Sequence, residues 1–267
     1  AGVEAKKEML EIEQYGEQLW KDLEWDGDRL DRRAEGREQQ GMRLMAWNVD
    51  GWSGAWEDDA MAVLGAADLD VWGCQDSRWT PQHENRVRQR ASRAWGRDHM
   101  KWTYAPGMTV TREKGSSSRI GGVHLSLREG WGARQVQTYT DVRGWGRYAG
   151  ALLQGGDRHT FMLVLEVYAP VQSSADQSMW SQQSKALGGV DPWVAFINEV
   201  EEVVRGVVAR YGRQNVSVAL GGDWNFDSTR GTNSARHQAH WLKFLAVLEL
   251  TDVLRARHGA LATYYHG

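Results

Sequence analysis

The chain has 267 residues, of which 41% are hydrophobic and 25% charged, a composition typical of a globular protein with one substantial core. Its single Cys74 excludes an internal disulfide and favours an intracellular compartment, nuclear or cytoplasmic, and no apolar run approaches the roughly 20 residues that a membrane-spanning helix needs. The net charge of -3 is uneven, because residues 1–40 hold 12 acidic and 7 basic side chains while the rest of the chain holds 23 acidic and 25 basic ones, so a nucleic-acid partner is not excluded.

The N-terminal segment differs in composition from the rest of the chain. Residues 3–24 have the apolar spacing of an amphipathic helix, and residues 26–40 are charged and nearly devoid of apolar side chains. We therefore predict an acidic N-terminal helical segment or linker over residues 1–40. The main domain is predicted to cover residues 41–267.

Short apolar runs of strand length alternate with candidate helices in the main domain. The predicted strands, each bounded by Gly, Pro or polar clusters, are Met42–Val49, Leu69–Cys74, Gly121–Leu127, Phe161–Tyr168 and Val216–Leu220. The predicted helices are Trp56–Gly65, Gln82–Trp95, 193–211 and Ala235–Glu249. This order of elements predicts a layered α/β fold with sheets packed between helices.

Polar residues lie at the ends of several of these predicted strands. The fragments are Trp47-Asn48-Val49-Asp50-Gly51, Cys74-Gln75-Asp76, Val167-Tyr168-Ala169-Pro170, Gly222-Asp223-Trp224-Asn225 and, more weakly, Leu250-Thr251-Asp252. Carboxylate and amide oxygens at strand ends predict a site that holds Mg²⁺ against a phosphate. The alternatives are structural: a turn at Asp50, a helix cap at Asp76, a loop contact at Asn48, an Asx-turn at Asp223 and Asn225, and a core position for Tyr168.

A basic segment over residues 77–119 predicts a nucleic-acid-binding surface. It contains ten Lys and Arg side chains against three acidic ones, with tryptophans interleaved. The residues predicted to contact nucleic acid are Arg78, Arg86, Arg90 and Arg119. One or two of the five tryptophans in basic or loop-like stretches are candidates for base stacking: Trp79, Trp95, Trp102, Trp131 and Trp145. The alternative is a solvated face of an Arg-rich helix.

Taken in chain order, four of these fragments resemble the endonuclease/exonuclease/phosphatase superfamily. The resemblance runs over about 42–266, and its later part, 241–265, looks most like the endonuclease domains of LINE-type retrotransposons, which are similar to apurinic/apyrimidinic endonucleases. This chain departs from the pattern at Asp76, where the family usually has Glu. The resemblance implies a four-layer α/β/β/α sandwich of two packed mixed β-sheets flanked by helices, with the N-terminal helical segment added.

The resemblance also implies roles for single residues. Asp50 and Asp76 would hold Mg²⁺, for which Mn²⁺ can substitute. Asn48 would bind the scissile phosphate or fix a neighbouring carboxylate, and Tyr168 would donate its phenol to the phosphate. Asp223 would orient or deprotonate the attacking water, and Asn225 would hold the developing oxyanion.

The implied function is an endonuclease that nicks DNA, as a domain of a retrotransposon polyprotein beside a reverse transcriptase region, with no membrane partner. An apurinic/apyrimidinic repair endonuclease, or another phosphodiesterase or phosphatase of this fold, is an alternative. The sequence as printed ends at Gly267, before the place of the family's Ser-Asp-His motif. A catalytically inactive nucleic-acid-binding or structural module is therefore a third interpretation.

Overall fold

The computed structural model describes residues 42–52, 54–66, 69–95, 100–111, 116–226 and 235–252. The predicted segment 1–40 and the boundary at Gly41 lie outside the described residues.

Ten strands occur in the described residues. They are β1 Leu44–Asn48, β2 Val71–Gln75, β3 Lys101–Ala105, β4 Met108–Thr111, β5 Ser117–Ile120, β6 Val123–Leu127, β7 Gln135–Thr140, β8 Tyr148–Gln154, β9 Phe161–Tyr168 and β10 Val216–Asp223. The α-helices in the same residues are α1 Gly54–Ala66, α2 Pro81–Trp95, α3 Glu129–Gly132, α4 Met179–Ala186, α5 Pro192–Tyr211 and α6 Ala235–Leu248, and a 3₁₀ turn covers Arg213–Asn215. None of the helices described is long and apolar enough to cross a membrane.

The two four-stranded mixed sheets have the same pattern of parallel and antiparallel strand pairs. The first has the order β1-β2-β6-β3, and the second has the order β10-β9-β8-β7. In each sheet one parallel pair, β1 with β2 or β9 with β10, is extended by two antiparallel strands. Strands β4 and β5 form a separate antiparallel hairpin.

Three apolar clusters show that the sheets are packed as inner layers between helices. Residues from both sheets, among them Val71, Leu125 and Ala151, form the cluster between them. Helices α1 and α2 pack on the outer face of the first sheet, around the buried Trp72. Helices α5 and α6 pack on the outer face of the second sheet, through residues such as Phe196. The predicted α/β/β/α sandwich is therefore observed.

The predicted elements match observed ones to within a few residues, and Phe161–Tyr168 matches without a shift. Helix α5 begins one residue before the predicted 193, because Asp191 accepts hydrogen bonds from the N–H groups of the first turn and Pro192 is the first helical residue. Strands β3, β4, β5, β7 and β8 were not predicted. β8 reads Tyr-Ala-Gly-Ala-Leu-Leu-Gln, and Ala and Gly are weak strand formers.

Candidate active site

The two parallel strand pairs place four of the relevant residues at their carboxyl ends. Asn48 is the register partner of Gln75 in the first sheet, and Asp223 is the partner of Tyr168 in the second. The amide nitrogen of Asn48 donates to Asp223 Oδ2 at 2.7 Å, which joins the two sheets. The carboxyl ends of β1, β2, β9 and β10 therefore meet at one end of the sandwich, where α/β folds commonly bind ligands.

Arg78 lies between the carboxylates of Asp50 and Asp76. Its Nη2 donates to Asp50 Oδ1 at 2.7 Å, and its Nε donates to Asp76 Oδ1 at 3.1 Å. Asp76 Oδ1 also accepts from the backbone N–H of Gly121 at 3.0 Å. A Cβ on Gly51 would lie 3.0 Å from Arg78 Nη1, so the glycine makes room for this guanidinium. One positive group thus bridges both carboxylates and offsets part of their charge.

The loops that present these residues have unusual backbone conformations. Six non-glycine residues in the described part of the chain have positive φ, and four of them belong to the candidate site: Asp50, Asp76, Arg78 and Asn225. Such conformations are costly for residues with a Cβ and cluster at functional sites. Backbone hydrogen bonds hold the loops, including Gly51 N–H to the Asp76 carbonyl at 2.9 Å and Arg78 N–H to the Gly121 carbonyl at 2.9 Å.

Asp223 and Asn225 form a local turn and also join neighbouring elements. The Asn225 N–H donates to Asp223 Oδ1 at 2.9 Å, which is the Asx-turn weighed as an alternative. The Asn225 amide donates to the Ala169 carbonyl at 2.7 Å. Because Asn48 bonds the other oxygen of Asp223, both carboxylate oxygens are held and the group has a fixed orientation. An amide nitrogen has two hydrogens, so one hydrogen of the Asn225 amide has no acceptor within the described part of the chain.

Burial and charge keep Tyr168 protonated. Burial raises the pKa of its phenol, and the nearby carboxylates of Asp76 and Asp223 raise it further. A neutral phenol can donate a hydrogen bond to an anionic oxygen. Burial also raises the pKa of Asp76, an effect that the Arg78 guanidinium and the Gly121 N–H partly offset.

Glu166 is a fully buried carboxyl group beside this site, and none of the sequence motifs contains it. It belongs to β9, and it accepts a hydrogen bond from the Gln75 amide. A Cβ on Gly73 would lie 2.1 Å from its Oε2, and one on Gly222 would lie 3.0 Å from its Oε1. Burial raises the pKa of Glu166 well above its ordinary value, which favours the neutral form. An acidic residue inside an otherwise apolar strand was the available signal.

The arginines predicted to bind nucleic acid lie in three environments. Arg78 belongs to the carboxylate cluster itself. Arg86 and Arg90 donate to the buried Glu57 at 2.7 and 2.9 Å, and Arg90 also pairs with Asp58, so intramolecular ion pairs neutralise them. Arg119 forms no ion pair within the described ranges and lies on the β4–β5 hairpin. Their roles stay predictions. Among the predicted base-stacking tryptophans, Trp79 and Trp95 are buried in the first sheet's helix-side core.

The donor set suits a hard divalent cation with few protein ligands. Among the described residues, no group of three or more His, Cys, Asp or Glu is arranged to hold a metal. Mg²⁺, however, usually needs only one or two carboxylates and keeps several waters. Asp50 and Asp76 supply two such carboxylates. The Arg78 guanidinium pairs with both of them, so the site already holds one positive charge. Asn48 is close by, because its Oδ1 accepts from the Asp50 N–H at 2.9 Å.

Comparison with known proteins identifies the fold. No family model and no curated protein matches the sequence. Among solved structures, the chain is similar to the AP endonuclease LMAP from Leishmania major, with 14% identity, a TM-score of 0.55, and 84% of this chain and 72% of that chain covered. It is also similar to the 3'-5' exonuclease NExo from Neisseria meningitidis, with 18% identity, a TM-score of 0.54 and coverage of 84% and 77%.

A third similar structure is the 3' phosphatase NExo from Neisseria bound to a product DNA hairpin, with 16% identity, a TM-score of 0.51, and 81% of this chain and 74% of that chain covered. At these identities the likeness concerns the fold. The chain has the endonuclease/exonuclease/phosphatase fold, which confirms the fold that the sequence motifs predicted.

Proposed function

We propose that this chain is a metal-dependent phosphodiesterase of the endonuclease type that nicks DNA. The observation that carries the proposal is the hydrogen bond from Asn48 to Asp223 beside the cluster of Asp50, Arg78 and Asp76. It brings a fixed carboxylate, an amide pair and two further carboxylates to one end of the sandwich. The similarity to an AP endonuclease and to an exonuclease structure supports the same class of chemistry.

In this proposal Asp50 and Asp76 hold Mg²⁺ or Mn²⁺. The bound ion would supply neutralisation of the charge on the non-bridging phosphate oxygens. Arg78 bridges the same two carboxylates, and its charge prevents their mutual repulsion before the ion binds.

The remaining residues act on the phosphate and the water. Asp223 accepts a proton from the attacking water, and its orientation is set by Asn48 and by the Asn225 N–H. The protonated Tyr168 donates to a phosphate oxygen, and the second hydrogen of the Asn225 amide is available to the developing oxyanion. Together they account for water activation and for the charge that develops on the phosphate as the P–O bond to the leaving group breaks, and the leaving oxygen would take its proton from solvent.

The motif order and the resemblance of residues 241–265 support a retrotransposon setting, beside a reverse transcriptase region. A repair endonuclease is the second candidate, because one similar structure is that of an AP endonuclease. Cleavage of duplexes with and without an abasic site separates the two. Equal cleavage favours the nicking domain, and strong preference for the abasic duplex favours the repair enzyme.

The proposal is tested by incubating supercoiled plasmid with the protein and Mg²⁺, with EDTA as the metal-free control. We expect open-circular product, and a loss on the order of 10³-fold in the Asp223→Ala variant. Asp176→Ala is the matched control, because this aspartate is almost fully exposed and its ion pair among the described residues is with the exposed Lys185. Wild-type nicking by Asp223→Ala would remove the assigned role of Asp223, and binding without nicking by the unaltered chain would favour an inactive module.

A further inference from the structure

Helix α2 carries two sets of arginines in opposite electrostatic environments. Arg86 and Arg90 are paired with Glu57, and Arg90 is also paired with Asp58. By contrast, neither Arg88 nor Arg93 forms an ion pair with any residue in the described ranges. The guanidinium of Arg88 donates to the neutral Asn85, at 3.2 Å. The positive charge that helix α2 offers to a partner is therefore on the second set.

Arg88 and Arg93 lie on one wall of a cleft, and the start of β3 forms the other. The cleft has a volume of about 540 Å³, and its polar and aromatic lining residues are Arg88, Gln89, Ser92, Arg93, Lys101 and Trp102. Lys101 is exposed and, like the two arginines, has no ion pair among the residues described. Three cations thus face one space, together with an amide and a hydroxyl group, and none of the described residues that line it is acidic.

The cleft lies away from the candidate active site along the edge of the first sheet. β3 is the edge strand of that sheet. Its Ala105 end pairs with Val123, next to the Gly121 N–H that bonds Asp76, whereas Lys101 pairs with Leu127 at the other end. Four residues of strand separate the two ends, which is about 13 Å. A ligand in the cleft therefore does not occupy the catalytic end.

The chemistry of the cleft matches a phosphodiester backbone. Arg88 and Arg93 are five residues apart, so they are separated by about 7.5 Å along the helix axis. Arg, Lys, Gln and Ser are also the side chains that commonly donate to phosphate oxygens. The two guanidinium groups would contact separate phosphates of one strand.

We propose that this cleft binds the sugar–phosphate backbone of a nucleic-acid segment that lies outside the candidate active site. The inference rests on the proposed function, since it assumes that nucleic acid is the ligand of this fold. In this proposal the unpaired basic residues of the cleft contribute to binding affinity for nucleic acid. The residues at the strand ends of the candidate active site carry out cleavage. A duplex long enough to extend beyond the candidate active site would contact both that site and the cleft. A short duplex bound at the active site would not reach the cleft.

The test is fluorescence anisotropy with labelled duplexes of about one and about three helical turns, roughly 10 and 30 base pairs. Asp223→Ala is used as the background so that the duplex stays intact. The double variant Arg88→Gln/Arg93→Gln is compared with Arg205→Gln/Arg210→Gln, which changes the total charge equally on the exposed side of helix α5. We expect the first pair to weaken binding of the long duplex on the order of 10-fold and to lower the salt slope by about 2. The control pair should change neither quantity, and binding of the short duplex should be unaffected.

Equal losses in both double variants would show that only net charge matters and would overturn the proposal, as would an unchanged salt slope in Arg88→Gln/Arg93→Gln. Displacement of the long duplex by polyglutamate that is as effective as displacement by competitor DNA would reassign the cleft to acidic polypeptides. Nicking of the long duplex by the protein with Asp223 intact separates this proposal from the proposed function. Nicking of the long duplex that is equal with and without Arg88→Gln/Arg93→Gln contradicts the cleft alone. Weaker binding of the long duplex in that double variant, with no nicking by the unaltered chain, contradicts the nuclease alone.

Discussion

The Asn48 amide and the Asp223 carboxylate, 175 residues apart in sequence, are joined by a 2.7 Å hydrogen bond between the two sheets. Each residue lies at the end of a strand that runs parallel to its neighbour. The bond therefore fixes the distance between the sheets at the end where the carboxylates gather. It also orients one oxygen of the group to which we assign water activation.

Replacement of Asn48 should affect catalysis more than substrate binding. We expect Asn48→Ala to lower kcat by about 10²-fold to 10³-fold with a small change in KM, because Asp223 loses the donor that orients it. Asn48→Asp places two carboxylates in contact, which raises the pKa of one of them. If the ionised carboxylate is the active form, the acid limb of the pH–rate profile then shifts to higher pH.

The pH–rate profiles of wild type, Asn48→Ala and Asn48→Asp check this expectation. Asn198→Asp is the control, because that side chain is exposed and its hydrogen bond among the described residues is to His240, away from the carboxylate cluster. An acid limb at the same pH in all variants would show that Asn48 does not act through Asp223.

Glu166 should make the stability of the protein depend on pH in a defined direction. Its folded-state pKa is raised by burial, so the folded state retains a proton that the unfolded state loses above the ordinary carboxyl pKa. Its contribution to the free energy of unfolding therefore falls as pH rises from the ordinary carboxyl pKa towards the folded-state pKa. Glu166→Gln removes the titrating group and keeps the shape, and we expect a higher Tm at pH 8 than wild type with little change near pH 4.

Thermal unfolding at several pH values checks this expectation, where about 2–4 °C corresponds to 1 kcal/mol for a protein of this size. A wild-type-minus-variant difference that does not change with pH would contradict the buried neutral state of Glu166.

Gly73 should be intolerant of any side chain for as long as Glu166 is present. A Cβ at position 73 would lie 2.1 Å from Glu166 Oε2, and the carboxyl group is fully buried, so it cannot swing out into solvent. We expect Gly73→Ala to cost about 1–3 kcal/mol of unfolding free energy, as overpacked cores do. In the Glu166→Ala background the same change should cost much less, because the obstructing atoms are gone. Urea unfolding of the four proteins in this double-mutant cycle measures the coupling, and additive effects would contradict the contact.

Arg147 should be important for the stability of the second sheet. It is fully buried and makes a two-bond contact with Asp141, at 2.8 and 2.9 Å, and its carbonyl accepts the Tyr168 N–H at 2.7 Å. Arg147→Met leaves the buried Asp141 carboxylate without its cation, which costs about 3–5 kcal/mol. Arg205→Met is the matched control, because that exposed residue forms an i,i+4 ion pair with Glu201 on helix α5 and should cost at most about 1 kcal/mol. Equal urea midpoints for the two variants would refute the distinction.

The sequence predicted the parts of the fold that depend on local pattern. Phe161–Tyr168 was bounded correctly, because a continuous apolar run between polar turns identifies a buried strand. The edge strand β7, which alternates between half-buried and exposed residues, lacks such a run and was not predicted. The role of Arg78 as a bridge between Asp50 and Asp76 was also not predicted, because its partners come from two different loops.

By itself, the sequence determined which strands end in carboxylates, amides and a phenol, and in what order, because apolar periodicity and turn residues act over a few positions. Only the tertiary structure decided which of those groups touch. The pairing of Asn48 with Asp223, the space that Gly73 leaves for Glu166, and the ion pairs of Arg86 and Arg90 with Glu57 all depend on elements brought together from distant parts of the chain. A side chain's hydrogen-bonding partners and its burial are set by that packing, so no local pattern can specify them.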